Sequence, residues 1–278
     1  MSLLIALSSA LIIAFLLFIN PYYQLHFNKV AFSIIVSEIF STIAAAFISL
    51  ALEKPLNIFL HYGTPLYSLM ENILTVGFIE ELAKFFAVYL CTYGLSHLKR
   101  IDDLMLNLIL SACTFAAFEN TLYVLVYDMD LQLAFMRSMI STPCHLFYSI
   151  VLAFFYIDYL EEDTPSLIKL LQALFFSSFF HGFMNFCLSY LHPKWSFLNL
   201  LLIFFIFPAY VTLGLVLIKN HFSKLHCLSC KHTPTPKSNF CIHCGAPIGY
   251  RQNLKSLKST LYIFTSFIGL ILCLLFLS

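Results

Sequence analysis

Glu80, Glu81, Lys84, Glu119, His145 and His181 stand inside stretches of sequence that are otherwise apolar. Carboxylates and imidazoles activate water, bear a developing oxyanion and deliver a proton to a leaving amine, the three tasks of peptide hydrolysis. On a helix, Glu80, Glu81 and Lys84 share an arc of about 100°. Lys84 then pairs with either glutamate, holding one carboxylate ionised and leaving the other available for proton transfer. Glu119 and Tyr123 lie one turn apart, with Asn120 between them; Arg137 precedes Ser141-Thr142-Pro143-Cys144-His145; and Asn185 follows His181 by one turn. Two versions of the chemistry suit this set. In one, a divalent metal held by the Glu and His side chains acidifies water. In the other, a glutamate takes the water proton directly while His181 and Asn185 donate to the oxyanion. His-Glu-x-x-His and Gly-x-Ser-x-Gly are both absent.

The elements that must carry these residues are membrane-spanning helices. The chain has 278 residues, 60% of them hydrophobic and only 10% charged, with mean hydropathy +0.88. A soluble domain is about 25% charged, so that class is excluded. Hydropathy predicts about eight spans, at 3–19, 30–52, 67–93, 103–127, 135–159, 167–190, 197–218 and 260–277. The expected architecture is an all-α polytopic bundle in the cell membrane with a small zinc-ribbon insertion. Its expected parts are N-terminal spans (1–66), a helical core bearing the candidate site (67–190), a seventh span and flank (191–223), the ribbon-like loop (224–252) and a C-terminal span (253–278). The first segment lacks a cationic start and a small-residue cleavage site, which disfavours a signal peptide. A net charge of +1 without a basic tail gives no basis for a nucleic-acid partner.

Loop cations set the orientation. Lys29, Lys99, Arg100, Lys169, Lys219, Lys224, Lys231, Lys237, Arg251, Lys255 and Lys258 lie in the odd-numbered loops, against Lys54 and Lys194 in the even ones. The odd loops, the ribbon-like loop among them, are therefore expected on the cytoplasmic side. With that topology Glu80, Glu119, His145 and His181 fall in one layer, roughly 12 to 20 Å below the outer surface at 1.5 Å per residue. An ionised group near the bilayer centre costs on the order of 3 kcal/mol to insert, so four spans contributing such groups at one depth point to a shared site. Glu38, in the second span, either faces the same site or pairs within the bundle. Gly77, on the face of Glu80 and Lys84, lets a neighbouring helix approach.

Four blocks of this sequence resemble those of PrsW-type intramembrane proteases, relatives of the CAAX-prenyl-protease and bacteriocin-processing superfamily. They are Glu80-Glu81-x-x-Lys84, Phe118-Glu119-Asn120-x-x-Tyr123, Arg137 with Ser141-x-Pro143-x-His145, and His181-Gly182-x-x-Asn185. The resemblance covers about residues 67–190. It implies an endopeptidase that cuts a membrane-anchored protein within the bilayer, with Glu80, Glu81, Glu119, His145 and His181 as catalytic candidates. Lys84, Asn120, Tyr123, Arg137 and Asn185 are the supporting ones. Asn185 stands where some relatives carry Asp, which suits a hydrogen-bond donor better than a metal ligand. Two other classes fit a layer of buried carboxylates: an ion-coupled transporter with a proton relay, and a non-catalytic scaffold signalling through its zinc ribbon.

Cys227-x-x-Cys230, ten residues, then Cys241-x-x-Cys244-Gly245 is the spacing of a four-thiolate zinc site. Each Cys-x-x-Cys turn presents two sulfurs to one tetrahedral ion at about 2.3 Å, and the closed set is structural, with no position for water. The short loop has too little apolar material for a core of its own, so the ion supplies its folding energy.

Overall fold

Backbone N–H and C=O groups find no partner in lipid, so apolar runs of spanning length satisfy them internally as helix. The computed structural model describes residues 1–7, 30–92, 102–160, 167–188, 208–210, 212–214, 216–217, 230, 232 and 241–245; among them there is no strand. Helix α1 is Ser2–Ala6 and α2 is Val30–Phe59. Helix α3 begins as Pro65–Met70, widens to a π-helix over Glu71–Gly77 and resumes as Phe78–Cys91. Helix α4 is Asp102–Val126. Helix α5 starts as Leu131–Met136, passes through π-helical Arg137–Ser141 and continues as Thr142–Leu160, and α6 is Leu167–Phe186. Among the described residues the apolar stretches are helical, as the composition requires. Among the described residues three stretches are long and apolar enough to cross a membrane, Ala31–Glu53, Leu104–Val126 and Leu131–Ile157. The spans expected at 3–19, 197–218 and 260–277 fall largely outside the described residues. Two compact units divide the chain, Met1–Gly214 and Leu215–Ser278, and the helices above belong to the first.

Local chemistry explains the helix starts. Thr64 caps α3 through its hydroxyl oxygen, which accepts from Tyr67 N at 3.2 Å, and Pro65 follows at the first helical position, where no N–H is needed. Asp130 caps α5 by accepting from Leu133 N at 2.7 Å. Between α4 and α5 the chain reverses through Asp128 and Met129, both at positive φ. The N-terminal turn braces this corner. Ser2 Oγ donates to Met129 O and Ser138 Oγ donates to Ile5 O, each at 2.6 Å, over a buried cluster of Ala6, Val124 and Ala134.

The π segment of α3 precedes Glu80, Glu81 and Lys84, and that of α5 begins at Arg137 and precedes His145. A proline within an apolar helix predicts a kink, and Pro143, with no N–H, orphans a carbonyl one turn back. The helix instead widens over Arg137–Ser141, which shifts the acceptor register without breaking the rod. In α3 the π segment draws support from side chains. Thr75 Oγ1 donates to Glu71 O at 2.7 Å, Asn72 Nδ2 to Ser68 O at 2.7 Å, and Ser49 Oγ of α2 to Thr75 O at 2.5 Å.

That segment meets α6 backbone to backbone. A Cβ on Gly182 would overlap Ile73 Cα and lie 2.6 Å from Asn72 O, and a Cβ on Gly77 would lie 2.7 Å from Ser178 O. Only glycine fits at either position, and the crossing presses Glu80 and Glu81 of α3 toward His181 of α6. Replacing Gly182 with alanine forces the two backbones apart, and overpacking of this kind costs about 1–3 kcal/mol. Gly182→Ala is therefore expected to melt earlier than wild type in detergent. An unchanged melting temperature would show that the helices do not cross this closely.

Candidate active site

Glu81 lies at the centre of the buried hydrogen bonding. Fully buried on α3, it accepts at Oε1 from Lys84 Nζ (2.6 Å) and His181 Nδ1 (2.9 Å), and at Oε2 from Ser177 Oγ (2.8 Å). Three donors on two oxygens make the surroundings of a carboxylate. Ser177 Oγ also lies 2.9 Å from Tyr148 O, which ties α6 to α5. Lys84, likewise fully buried, donates a second bond to His145 Nδ1 at 2.9 Å and sits 4.6 Å from the centroid of the Phe115 ring.

These partners assign the ring protons of the two histidines. His181 Nδ1 faces an acceptor and must carry a proton, which leaves Nε2 as the acceptor in the neutral ring. His145 Nδ1 faces an ammonium donor and must accept, so its proton sits on Nε2, 2.9 Å from Glu119 Oε2. The two imidazoles, with ring centroids 5.0 Å apart, thus present opposite faces: a lone pair from His181 and an N–H from His145.

Glu119 is held from two sides, by His145 and by Arg137 Nη2, which lies 2.7 Å from Oε1. Arg137 is fixed in turn. Its Nε donates to Asn120 Oδ1 at 2.9 Å, its Nη2 to Ser141 Oγ at 3.4 Å, and its guanidinium carbon lies 3.8 Å from the Tyr123 ring centroid. Asn120 Nδ2 donates across to Thr142 Oγ1 at 3.0 Å. Glu119 Oε2 faces His145 Nε2 at 2.9 Å without a hydrogen bond of good geometry, and Glu80 is less engaged still. Its Oε2 is buried with no hydrogen-bond partner among the described residues and lies 3.6 Å from His181 Nε2. The side chains of Glu80, Glu119 and Arg137 are 13%, 15% and 17% exposed, whereas Glu81 and Lys84 are fully enclosed, so Glu80 and Glu119 form the accessible side of the cluster.

Four helix segments therefore bring Glu80, Glu81, Lys84, Glu119, Asn120, Tyr123, Arg137, His145 and His181 into one connected network. Asn185, half-buried, follows one turn along α6. Glu38 is fully buried beside this network and pairs within the bundle, accepting from Ser111 Oγ and from Ser41 Oγ, the latter at 2.7 Å. Ser177, Thr142, Phe115 and Tyr148 were not anticipated from sequence. Their available signal was spacing alone, Ser177 lying one turn before His181 and Tyr148 one turn after His145.

One ligand atom each from Glu80, His145 and His181 lies within 4.8 Å of the others. The sulfurs of Cys230, Cys241 and Cys244 meet the same limit, with Cys230 and Cys241 Sγ 3.5 Å apart. The Cys244 backbone N–H draws the Cys241 thiol below its ordinary pKa, and Gly245 turns the chain at φ +70°. Cys227 lies outside the described residues.

Residues 26–213, more than half of the chain, match the family described as PrsW family intramembrane metalloprotease. The cysteine turn lies beyond the matched residues. The chain is also 31% identical over 121 residues to Protease PrsW of Shouchella clausii (strain KSM-K16), a match covering 43% of this chain. It spans about half of that curated relative, 54% of its length. No solved structure matches the chain. On the family match, the chain belongs to the PrsW family of intramembrane metalloproteases.

Proposed function

We propose that the protein is an intramembrane endopeptidase that hydrolyses a membrane-anchored polypeptide, with Glu80 as the general base. The observation that carries this reading is the orphaned Glu80 Oε2 facing His181 Nε2 at 3.6 Å. Both atoms are acceptors, so a water donating one proton to each is held with its lone pair free for a substrate carbonyl. Glu80 takes the proton as the oxygen attacks, and returns it to the amine nitrogen as the C–N bond breaks. The His145 Nε2–H, directed at Glu119 Oε2 at rest and backed by Lys84 on its other nitrogen, turns from Glu119 to the developing oxyanion as it forms. Glu119 orients His145 and Arg137, and Glu81 fixes the tautomer of His181. Glu81 is thus a positioning residue, its oxygens taken by three donors.

The family description implies a metal, and Glu80, His145 and His181 are the residues that would hold it. When bound, a divalent ion supplies Lewis acidity toward water and carbonyl. The donor set fits such an ion at Glu80, through its orphaned oxygen, and at His181. The hydrogen bond from the outer His181 nitrogen to Glu81 is the carboxylate–histidine pairing that prepares an imidazole as a ligand. His145 must first give its Nε2 proton to Glu119. The experiment for the activity is incubation of the purified protein with a membrane-tethered reporter in detergent. Discrete fragments are expected, and a reporter left intact after prolonged incubation would end the reading.

The cysteine turn is proposed to hold a structural zinc through Cys227, Cys230, Cys241 and Cys244, on the cytoplasmic side as the loop cations suggest. The sulfur spacing of the three described thiols supports it. Purified Cys241→Ser is expected to carry about one zinc fewer per chain than wild type, with cleavage retained, since a closed four-thiolate site leaves no position for water. Equal zinc contents would remove the site.

A further inference from the structure

Tyr148 is a second anchor of the site, and no part of the hydrolysis derived above uses it. It is 1% exposed on α5, one turn after His145. Its ring stacks on that of His181, with centroids 4.6 Å apart and planes 16° from parallel, and meets His145 edge-on at 5.9 Å and 70°. One aromatic ring therefore adjoins both imidazoles, with its face laid on that of His181. The hydrogen bond from His181 Nδ1 to Glu81 Oε1 fixes one atom of the His181 ring and leaves the ring free to swing about that bond. A swing carries Nε2 away from Glu80 Oε2, the atom with which it holds the attacking water. The stack blocks it, because tilting the imidazole drives it into the tyrosine ring.

Ser177 reinforces the arrangement by standing between Glu81 Oε2 (2.8 Å) and the Tyr148 carbonyl (2.9 Å). Its single O–H proton is shared between the carboxylate that holds His181 and the backbone carbonyl of the residue that stacks on it, which keeps the two close. Phe147 and Tyr148 both pack on Tyr210, with ring centroids at 4.5 and 6.1 Å, so Tyr148 is backed by further aromatic surface.

We infer that Tyr148 is a positioning residue of this reaction, its aromatic face holding His181 Nε2 in register with Glu80 while its hydroxyl is dispensable. The inference rests on the protease reading for its kinetic consequence and on geometry alone for its structural one, so the two are measured separately. Tyr148→Phe keeps the face and Tyr148→Leu removes it. Cleavage of the tethered reporter is expected to fall about 10- to 100-fold in kcat for Tyr148→Leu at unchanged KM, the scale of a misplaced reacting group, and to stay close to wild type for Tyr148→Phe. The second measurement is the proton spectrum of the His181 ring in histidine-labelled protein, assigned by its loss in His181→Ala. The stacked ring shields these protons, so their resonances are expected to move downfield in Tyr148→Leu and to stay in place in Tyr148→Phe. Where Tyr148→Leu fails to fold, Tyr148→Met fills a similar volume with a flexible chain and takes its place. A His181 resonance unmoved by the loss of the ring overturns the inference, as does Tyr148→Phe as damaging as Tyr148→Leu. If wild type cuts nothing, the protease reading fails while the resonances still decide whether Tyr148 orients His181.

Discussion

Lys84→Met is expected to destabilise the protein by about 3–5 kcal/mol, the cost of removing one partner from a buried ion pair. Methionine matches the lysine stem in size, so packing is preserved and the loss is electrostatic. Lys84 Nζ is fully enclosed and donates to Glu81 Oε1 at 2.6 Å and His145 Nδ1 at 2.9 Å. Without it the Glu81 carboxylate keeps only the His181 N–H and the Ser177 hydroxyl, and His145 Nδ1 loses its donor. The lone buried charge is the larger penalty. Pairing the change with Glu81→Gln removes both charges and is expected to recover part of the stability. Thermal unfolding of the purified variants in detergent reads both effects. A Lys84→Met protein that melts with wild type would mean that the ion pair holds nothing together.

Glu80→Gln and Glu81→Gln are expected to fail in different ways, although the two residues are adjacent. Glu80→Gln removes the group that takes the water proton and lowers cleavage by about 10³-fold, within the range of a general base. Its melting temperature stays at the wild-type value, because Glu80 Oε2 has no hydrogen bond to lose. Glu81→Gln replaces a charged acceptor of three bonds with a neutral amide, so stability and rate fall together. Parallel melting and cleavage measurements separate the pair. Should Glu81→Gln lose only rate while Glu80→Gln loses stability, their roles are reversed.

The helical class and five of the helices were legible because lipid enforces a simple rule: long apolar runs become helix, and polar residues within them face inward. That Glu80, Glu119, His145 and His181 meet was expected from the same rule and a rise of 1.5 Å per residue. Hydropathy does not see an added residue per turn, so the π segments at Glu71–Gly77 and Arg137–Ser141 left no trace in the sequence pattern. Nor does it separate Glu80 from Glu81. Both lie on the same arc of α3, and only the packing of Ser177 and His181 against one of them makes the distinction. Gly77 was legible as a small residue on a polar face, but the near-contact of Gly182 with Ile73 depends on which helices cross. Glu38 had two readings in sequence, and Ser111 on α4 decides for the one within the bundle.

The central claim is that a water held between Glu80 and His181 is the nucleophile. Cleavage of a tethered reporter by the purified protein in water enriched with oxygen-18, followed by mass spectrometry of the fragments, addresses it directly. Wild type is expected to release a fragment whose new carboxyl terminus carries the heavy oxygen, and the Glu80→Gln and His181→Ala proteins, folded by the same melting criterion, are expected to release almost none. Unlabelled new termini, or cutting by either variant at the wild-type rate, would contradict it.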